Sequence, residues 1–298
     1  MSARRSSGPP RLVCIDKPEG LTSFGVVSRV RKVTGYRRVG HGGTLDPFAT
    51  GLLVLGLGPA TRLMRFLIAG SKAYEAEVLF GWETDSEDRT GEMVRESSRI
   101  PSAREITEAL PEFEGRIEQV PPRLSAVHVE GERSYRRTRR GEDVELEPRP
   151  VEVHEIELLQ CEPPRARLRI ECGGGTYVRS LARDLGRHLS SAAHLAALRR
   201  TKVGPFSIDQ AVDLEDFEAN WAGGEGAMKP EVLVSDWDRL ELDVEQSRAV
   251  RNGIQPRPEW WSDRDWTDPP DRVALLDPDG VLPVSYTHLR AHETMTGI

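Results

Sequence analysis

From Lys72 to Phe80 apolar and polar positions alternate, with Tyr74, Ala76, Val78 and Phe80 on one face and Glu75 and Glu77 on the other, which predicts a half-buried strand. Arg11 to Asp16 and the apolar run Leu52 to Leu57 read as further strands, and Val151 to Leu159 with Ala166 to Cys172 as a pair. Helical spacing takes over at Ser23, read as an N-cap, with Phe24, Val27, Val30 and Val33 near one face and Gly35 as the stop. A second helix begins at the capping-box pair Ser102 and Glu105, ahead of Ile106 and Leu110. A third begins near Thr176, where Tyr177, Leu181, Leu185 and Leu189 recur every four residues and Arg179, Arg183 and Arg187 form a parallel stripe.

Between the first helix and Leu52, the segment RRVGHGGTLDPFATG holds four glycines and a proline, too many for a regular element. Asp46 is therefore expected in a shaped loop, and Trp82 to Thr90 in a polar, turn-rich connection. Interspersed strands and helices predict an α+β domain with a mixed sheet. After Phe206 the chain turns acidic and turn-rich. WAGGEGAMKP at 221–230 reads as a linker to a smaller β-rich unit containing the strand candidates Val232 to Val234 and Val273 to Leu276.

Composition narrows the class. With 30% charged and 38% hydrophobic residues in 298, the chain has enough apolar material for a substantial core, which excludes a disordered polymer. The most apolar stretch, Leu52 to Ala69, contains Arg62 and Arg65, so no run of roughly 20 apolar residues is present to span a bilayer. MSARRSSGPP has no apolar segment behind it of the kind a secretory signal needs, and a cytoplasmic location is the expectation. Cys14, Cys161 and Cys172 lack any C-x-x-C spacing and read as reduced thiols.

The net charge of −7 hides an asymmetry: residues 1–204 carry 33 basic against 28 acidic side chains, residues 205–283 carry 7 against 19, and the last 15 balance. Gly115 to Arg140 holds seven arginines against three glutamates, and Thr176 to Gly204 six basic residues against Asp184 alone. These two stretches are expected to form cationic patches suited to a polyanion, the bland alternative being solvated surface.

Gly42-Gly43-Thr44-Leu45-Asp46-Pro47 places a carboxylate in a loop that lets a ligand approach the backbone, although a turn in which Asp46 caps its own backbone fits the hexapeptide as well. GLGPAT at 56–61 lacks the Gly-Lys-Ser/Thr ending of a phosphate loop, and no dinucleotide fingerprint follows a strand.

Read at full length, GHGGTLDPFATGLL at 40–53 resembles the catalytic motif of the TruB family, the bacterial tRNA pseudouridine-55 synthases. The blocks DKPEGLTS at 16–23, SKAYEAEVLFGWETDSEDRTGE at 71–92, QVPPRLSAVHVEGERSYRRTRRG at 119–141, and CGGGTYVRSLARDLG with HLAALRRTKVGPF between 172 and 206 agree in the same order. The resemblance implies that Asp46 is the nucleophile in isomerising one T-loop uridine and that Arg179 is its cationic partner. It further implies that Tyr74 stacks on the flipped base and assists removal of the C5 proton, and that His41, Tyr177 and Leu198 contact the substrate. For Lys17 and Pro18 it implies support of the catalytic loop more than direct chemistry, a purely structural role fitting them as well. No cofactor and no metal are implied, and the expected partner is the tRNA T-stem-loop, with no membrane and no required protein partner, the chain acting as a monomer.

One departure is His128, which stands where the family commonly has lysine and removes a fixed charge at neutral pH. Arg133 to Arg140, interleaved with Tyr135, suit phosphate contacts that fix register and weaken with salt. The expected organisation is a flexible N-terminus at 1–10, a catalytic domain at 11–228, a partial PUA-like domain at 229–283, truncated, and a tail at 284–298 whose sequence VSYTHLRAHETMTGI resembles translated sequencing-library adapter. Two other readings compete: a noncatalytic tRNA chaperone that has no use for Asp46, and a retaining nucleoside hydrolase, which needs a second acid or base.

Overall fold

The computed structural model describes residues 8–125, 127–129, 132–134, 137, 140, 142, 146–224, 226–261, 272–280, 284–287 and 296–297. In chain order the first strands and helices are β1 (Arg11–Lys17), α1 (Ser23–Thr34), β2 (Val39–His41), β3 (Thr50–Leu57), α2 (Met64–Ala69), β4 (Lys72–Phe80), β5 (Trp82–Thr84), β6 (Met93–Glu96) and α3 (Ala103–Ala109). They continue as β7 (Gly115–Gln119), β8 (His128–Val129), β9 (Glu132–Arg133), β10 (Arg149–Glu162), β11 (Arg165–Cys172), α4 (Val178–His188), β12 (Ala193–Val203), β13 (Phe206–Ser207), β14 (Val212–Asp213) and α5 (Leu214–Asn220). The acidic end supplies β15 (Asp238–Glu241), α6 (Val244–Arg251), β16 (Arg272–Leu276), β17 (Val284–Thr287) and β18 (Thr296–Gly297).

The main sheet runs β14-β1-β3-β12-β4-β11-β10-β7, with β2 on β3 and β13 on β12. It is mixed, as expected: β3 and β12 pair in parallel, while β12, β4, β11 and β10 are antiparallel neighbours. The alternation of β4 is obeyed, with Tyr74, Ala76, Val78 and Phe80 in a core shared with Leu181, Leu185 and Leu189 of the α4 side and with Ile106 of α3. The opposite face carries cross-strand ion pairs, Arg165 with Glu77, Arg167 with Glu75 at 3.1 Å and Arg169 with Glu157 at 2.6 Å.

Several local expectations are corrected. Thr22, not Ser23, caps α1, its hydroxyl accepting from the Gly25 N–H. Phe24 is 65% exposed, because Val26, Val27 and Val30 form the buried stripe. The glycine-rich loop contains a strand after all, β2, since Val39 to His41 find backbone partners on β3. Trp82 to Thr84 pair with Met93 to Glu96 as a hairpin rather than a bare connection. Tyr177 stands outside α4 as its N-cap residue. Val232 to Val234 lie in a 3-10 turn led by Pro230, whose ring favours helical φ and has no N–H for a ladder. Leu233, Val234 and Ala274 share a core with Leu12, Leu52, Leu67 and Phe206, which seats the acidic segment against the first sheet. A smaller sheet, β15-β16-β17-β18, draws its last two strands from the segment expected to be foreign.

No described helix is long and apolar enough to cross a membrane.

Candidate active site

The loop between β2 and β3 is pinned at nearly every residue. The Gly42 N–H donates to Val54 O at 2.8 Å, and the Gly43 N–H donates to His41 Nδ1 at 3.3 Å. The buried Ser23 hydroxyl, freed from capping, accepts from the Leu45 N–H at 2.8 Å and donates to Leu45 O at 3.0 Å. Lys17 Nζ donates to Pro18 O, Leu21 O and Pro47 O at 2.8, 2.7 and 3.3 Å. The exposed Pro18 thus contributes its carbonyl to a buried lysine, and the expected support of the loop by this pair has a direct geometry.

This scaffold aims Asp46 at Arg179, with Nε and Oδ2 2.9 Å apart, which overturns the alternative of a carboxylate spent on its own turn. Arg179 enters from the first turn of α4 and is 4% exposed. Its Nη1 donates to Ser86 O at 2.9 Å and its Nη2 to Leu124 O at 3.1 Å, so two carbonyls fix the guanidinium plane before substrate arrives. A second acid completes the arrangement: Asp88 Oδ2 lies 3.7 Å from Arg179 Nη1. Burial in the cleft pushes the Asp46 carboxyl up from the ordinary carboxylate value; Arg179 pulls it down, Asp88 adds to the rise, and Lys17 opposes it.

Tyr74 lies on β4 in one buried cluster with Leu45, Phe48 and Leu198 of β12, so the two residues expected to contact the base meet beside the loop. Burial raises the phenol above its ordinary value, with Arg200 acting against that rise. The His41 ring is lowered by burial and by the charge of Arg200, which favours the neutral ring that accepts the Gly43 N–H. Tyr177 exchanges two hydrogen bonds with the Gln119 side chain, at 2.8 and 3.1 Å, and packs on Val127 and Leu146.

The expected cationic patch of Thr176 to Gly204 divides: Arg179, Arg183 and Arg200 are buried as internal scaffold, while Arg187, Arg199 and Lys202 reach the surface, the two arginines paired with acids. Arg183 pairs with Glu87 and with Asp184, Arg187 with Glu83, and Arg199 with Asp16 at 2.6 Å, while Arg200 is buried. Burial and carboxylate pairing leave these arginines little to offer a phosphate. Of the other patch, Arg137 and Arg140 both donate to Glu142, at 2.7 and 2.8 Å, whereas Tyr135 and the side chains of His128 and Arg133 lie outside the described residues.

Sequence reasoning missed Asp88, Lys72 and Arg200. Asp88 sat inside a quoted block, in a turn too polar to single out one acid. It is presented because Glu87 adopts φ 61° and is anchored to Ser180 and Arg183 of α4. The only signal for Arg200 was a pair of arginines interrupting an apolar strand.

A part-buried carboxylate seated on a buried arginine lies beside a buried tyrosine at the seam of a mixed sheet, an arrangement suited to carboxylate chemistry. Comparison with known proteins gives the family. Residues 31–178 match the N-terminal domain of TruB family pseudouridylate synthases, and residues 179–238 match the tRNA pseudouridylate synthase B C-terminal domain. The chain belongs to the TruB family of pseudouridylate synthases. It is 46% identical over 247 residues, 82% of each chain, to the tRNA pseudouridine synthase B of Dehalococcoides mccartyi. It is also 46% identical over 279 residues, 90% of this chain and 91% of the other, to that of Thermobifida fusca. Among solved structures, a crystal structure of a Cbf5-Nop10-Gar1 complex superimposes with a TM-score of 0.71 at 25% identity, covering 97% of this chain and 83% of that one.

Proposed function

We propose that the protein isomerises uridine 55 in the T loop of tRNA to pseudouridine, with Asp46 as nucleophile. The observation that carries this reading is the Asp46–Arg179 pair, together with the naming of the curated relatives as tRNA pseudouridine synthases. A tRNA chaperone has no use for a part-buried carboxylate matched to a buried guanidinium, and a hydrolase would need a second carboxyl open to a water, whereas Asp88 is buried and held by Arg179, Ser86 and Thr90.

The target base leaves its stack, at a cost of roughly a few kcal/mol, and enters the pocket walled by Tyr74, Leu198 and Tyr177, while His41 supports the rearranged RNA loop. Asp46 attacks C6 of uracil or C1′ of the ribose. The N1–C1′ bond breaks, the base turns and the C5–C1′ bond forms; the Asp46 bond breaks as C5 displaces it from C1′, or by elimination from C6, the C5 proton leaves with the help of Tyr74, and N1 gains a proton. The leaving C5 hydrogen is common to both routes. Arg179 holds the carboxylate in its charged, nucleophilic form against the desolvation of the closed site. The chain acts as a monomer in the cytoplasm without a protein partner. Residues 284–298 have no part in this reading, which treats them as foreign; independent amplification of the locus tests that, and recovery of the same tail overturns it.

The decisive experiment is tritium release from C5-labelled uridine in a T-stem-loop RNA, run with a gel-shift assay. The expected result is release by the wild type and none by Asp46→Ala, with binding retained. Tight binding by the wild type without release would refute the reading in favour of a chaperone.

A further inference from the structure

Behind the catalytic loop three cations are buried, Lys17, Lys72 and Arg200, and among the described residues none forms an ion pair with a carboxylate. Each is satisfied by backbone carbonyls. Lys72 Nζ donates to Ile68 O and Gly70 O at 2.5 and 2.6 Å. Arg200, 1% exposed, donates Nε to Leu52 O at 2.8 Å, Nη1 to Thr44 O at 3.2 Å and Nη2 to Gly43 O at 3.1 Å. A guanidinium is costly to bury without a counter-charge, and neutral carbonyls compensate only part of that cost. Holding strand to loop requires only hydrogen bonds, which neutral donors make more cheaply, so the retained charge calls for a role of its own.

Its position supplies one. Arg200 is the direct register partner of Tyr74 across β12 and β4, and of Gly51 across the parallel seam of β12 and β3. Gly51 has φ 101°, and a Cβ there would stand 2.3 Å from the Arg200 carbonyl oxygen, so the seam closes tightly at this residue. The guanidinium then reaches under Gly43, whose φ of 137° turns its carbonyl inward and whose N–H is held by His41.

We propose that Arg200 is a positioning residue for the isomerisation: it pins the Gly43–Thr44 half of the catalytic loop and places a fixed positive charge behind the Tyr74 and His41 rings. The proposal rests on the pseudouridine-synthase reading for its kinetic consequence; its electrostatic one follows from the placement of the guanidinium under Gly43 and Thr44 and across from Tyr74. Tyr74 is faced by Arg200 from β12, by Cys172 from β11 and by Asp46 from the loop. His41 is faced by Arg200, as are Lys17 and Lys72. In all four cases the charge of Arg200 favours the deprotonated form, so its removal moves every one of these titrations toward higher pH.

The test compares full-length wild type, Arg200→Met and Arg200→Lys by single-turnover tritium release between pH 6 and 10, gel shift and thermal melting, all in the ranges these assays use by about one-unit pH steps. Arg200→Met is expected to bind the RNA within about threefold of wild type, release tritium at least about tenfold more slowly at neutral pH, and show a pH–rate profile displaced upward by about 1 unit or more. Arg200→Lys, keeping the charge, is expected to leave the profile in place. A folded Arg200→Met with an unmoved profile, or loss of the fold in both variants, would assign Arg200 to the sheet seam alone and overturn the proposal. A second readout is independent of activity: the ring of His41, followed by NMR with isotope-labelled histidine and assigned through His41→Asn, titrates higher in Arg200→Met than in wild type. If no protein releases tritium yet His41 shifts, the charge assignment stands and the reaction assignment falls. An unshifted His41 refutes the charge.

Discussion

Replacing Arg179 by methionine removes the one cation paired with Asp46 among the described residues, and the structure sets the size of the effect. A charge-assisted hydrogen bond contributes about 1.5–3 kcal/mol. The Asp46 side chain is 34% exposed, so solvent screening puts this pair at the lower end, about 1.5 kcal/mol, or roughly tenfold in the carboxylate population it favours. The carboxyl, already raised by burial, rises further in the variant. Below both values the variant holds roughly a tenth of the wild-type carboxylate, and above both the two proteins are equally ionised. The ratio of wild-type to variant tritium-release rates must therefore shrink by about tenfold as pH rises through this interval, on top of any constant loss from misplaced geometry. Removing the guanidinium also leaves the Ser86 and Leu124 carbonyls without their donor and takes the counter-charge from the buried Asp88, whose Oδ1 still accepts from Ser86 and Thr90, so stability in urea unfolding falls by about 1–3 kcal/mol. Arg179→Lys keeps the charge and recovers part of the acid-side loss. A rate ratio that stays flat from about pH 5 to pH 9 would refute the claim that Arg179 acts through the charge state of Asp46.

The buried lysines make stability depend on pH in an unusual direction. Burial brings Lys17 and Lys72 down to about 8, whereas the unfolded chain keeps both protonated to about 10.4. Between these limits the unfolded state binds more protons, so each lysine adds up to about 1.4 kcal/mol of stability per pH unit as pH rises. Lys17→Met and Lys72→Met should each remove one such increment, and urea titrations showing no slope difference from wild type would contradict the burial argument. Burial likewise pushes the Cys14 thiol up to about 12 and Cys172 to about 11, so native protein treated with iodoacetamide at about pH 8 should be labelled at the half-buried Cys161 first. Rapid labelling of Cys14 would count against the packing around it. Gly51→Ala combines a left-handed backbone with a clash against β12 and should lower stability by about 2–5 kcal/mol, read by urea unfolding; a neutral result would show that the seam can open.

Local rules carried much of the fold. Period-two alternation located β4 and its core face, the capping box located α3, and glycine stopped α1, because each depends on neighbours within a few residues. They failed where another segment offered a better partner. Ser23 was taken for the cap until Leu45, 22 residues on, claimed its hydroxyl, and β2 formed in a glycine-rich stretch because β3 supplied the ladder.

The site divides in the same way. The meeting of Asp46, Tyr74 and Arg179 is legible because each stands in a motif that the chain itself spells, and the loop carrying Asp46 is contiguous. What the linear chain could not show is which charges are surface and which are structure. The arginines of α4 have the spacing of a solvated stripe, yet Arg179, Arg183 and Arg187 each meet an acid more than ninety residues away in sequence. Arg200 has the look of a strand arginine bound for solvent, and only the register of β12 against β4 and β3 turns it under the loop. A side chain's period specifies its face on an element; whether that face meets water, a carboxylate or a row of carbonyls is set by long-range pairing, and with it the sign of every nearby pKa shift.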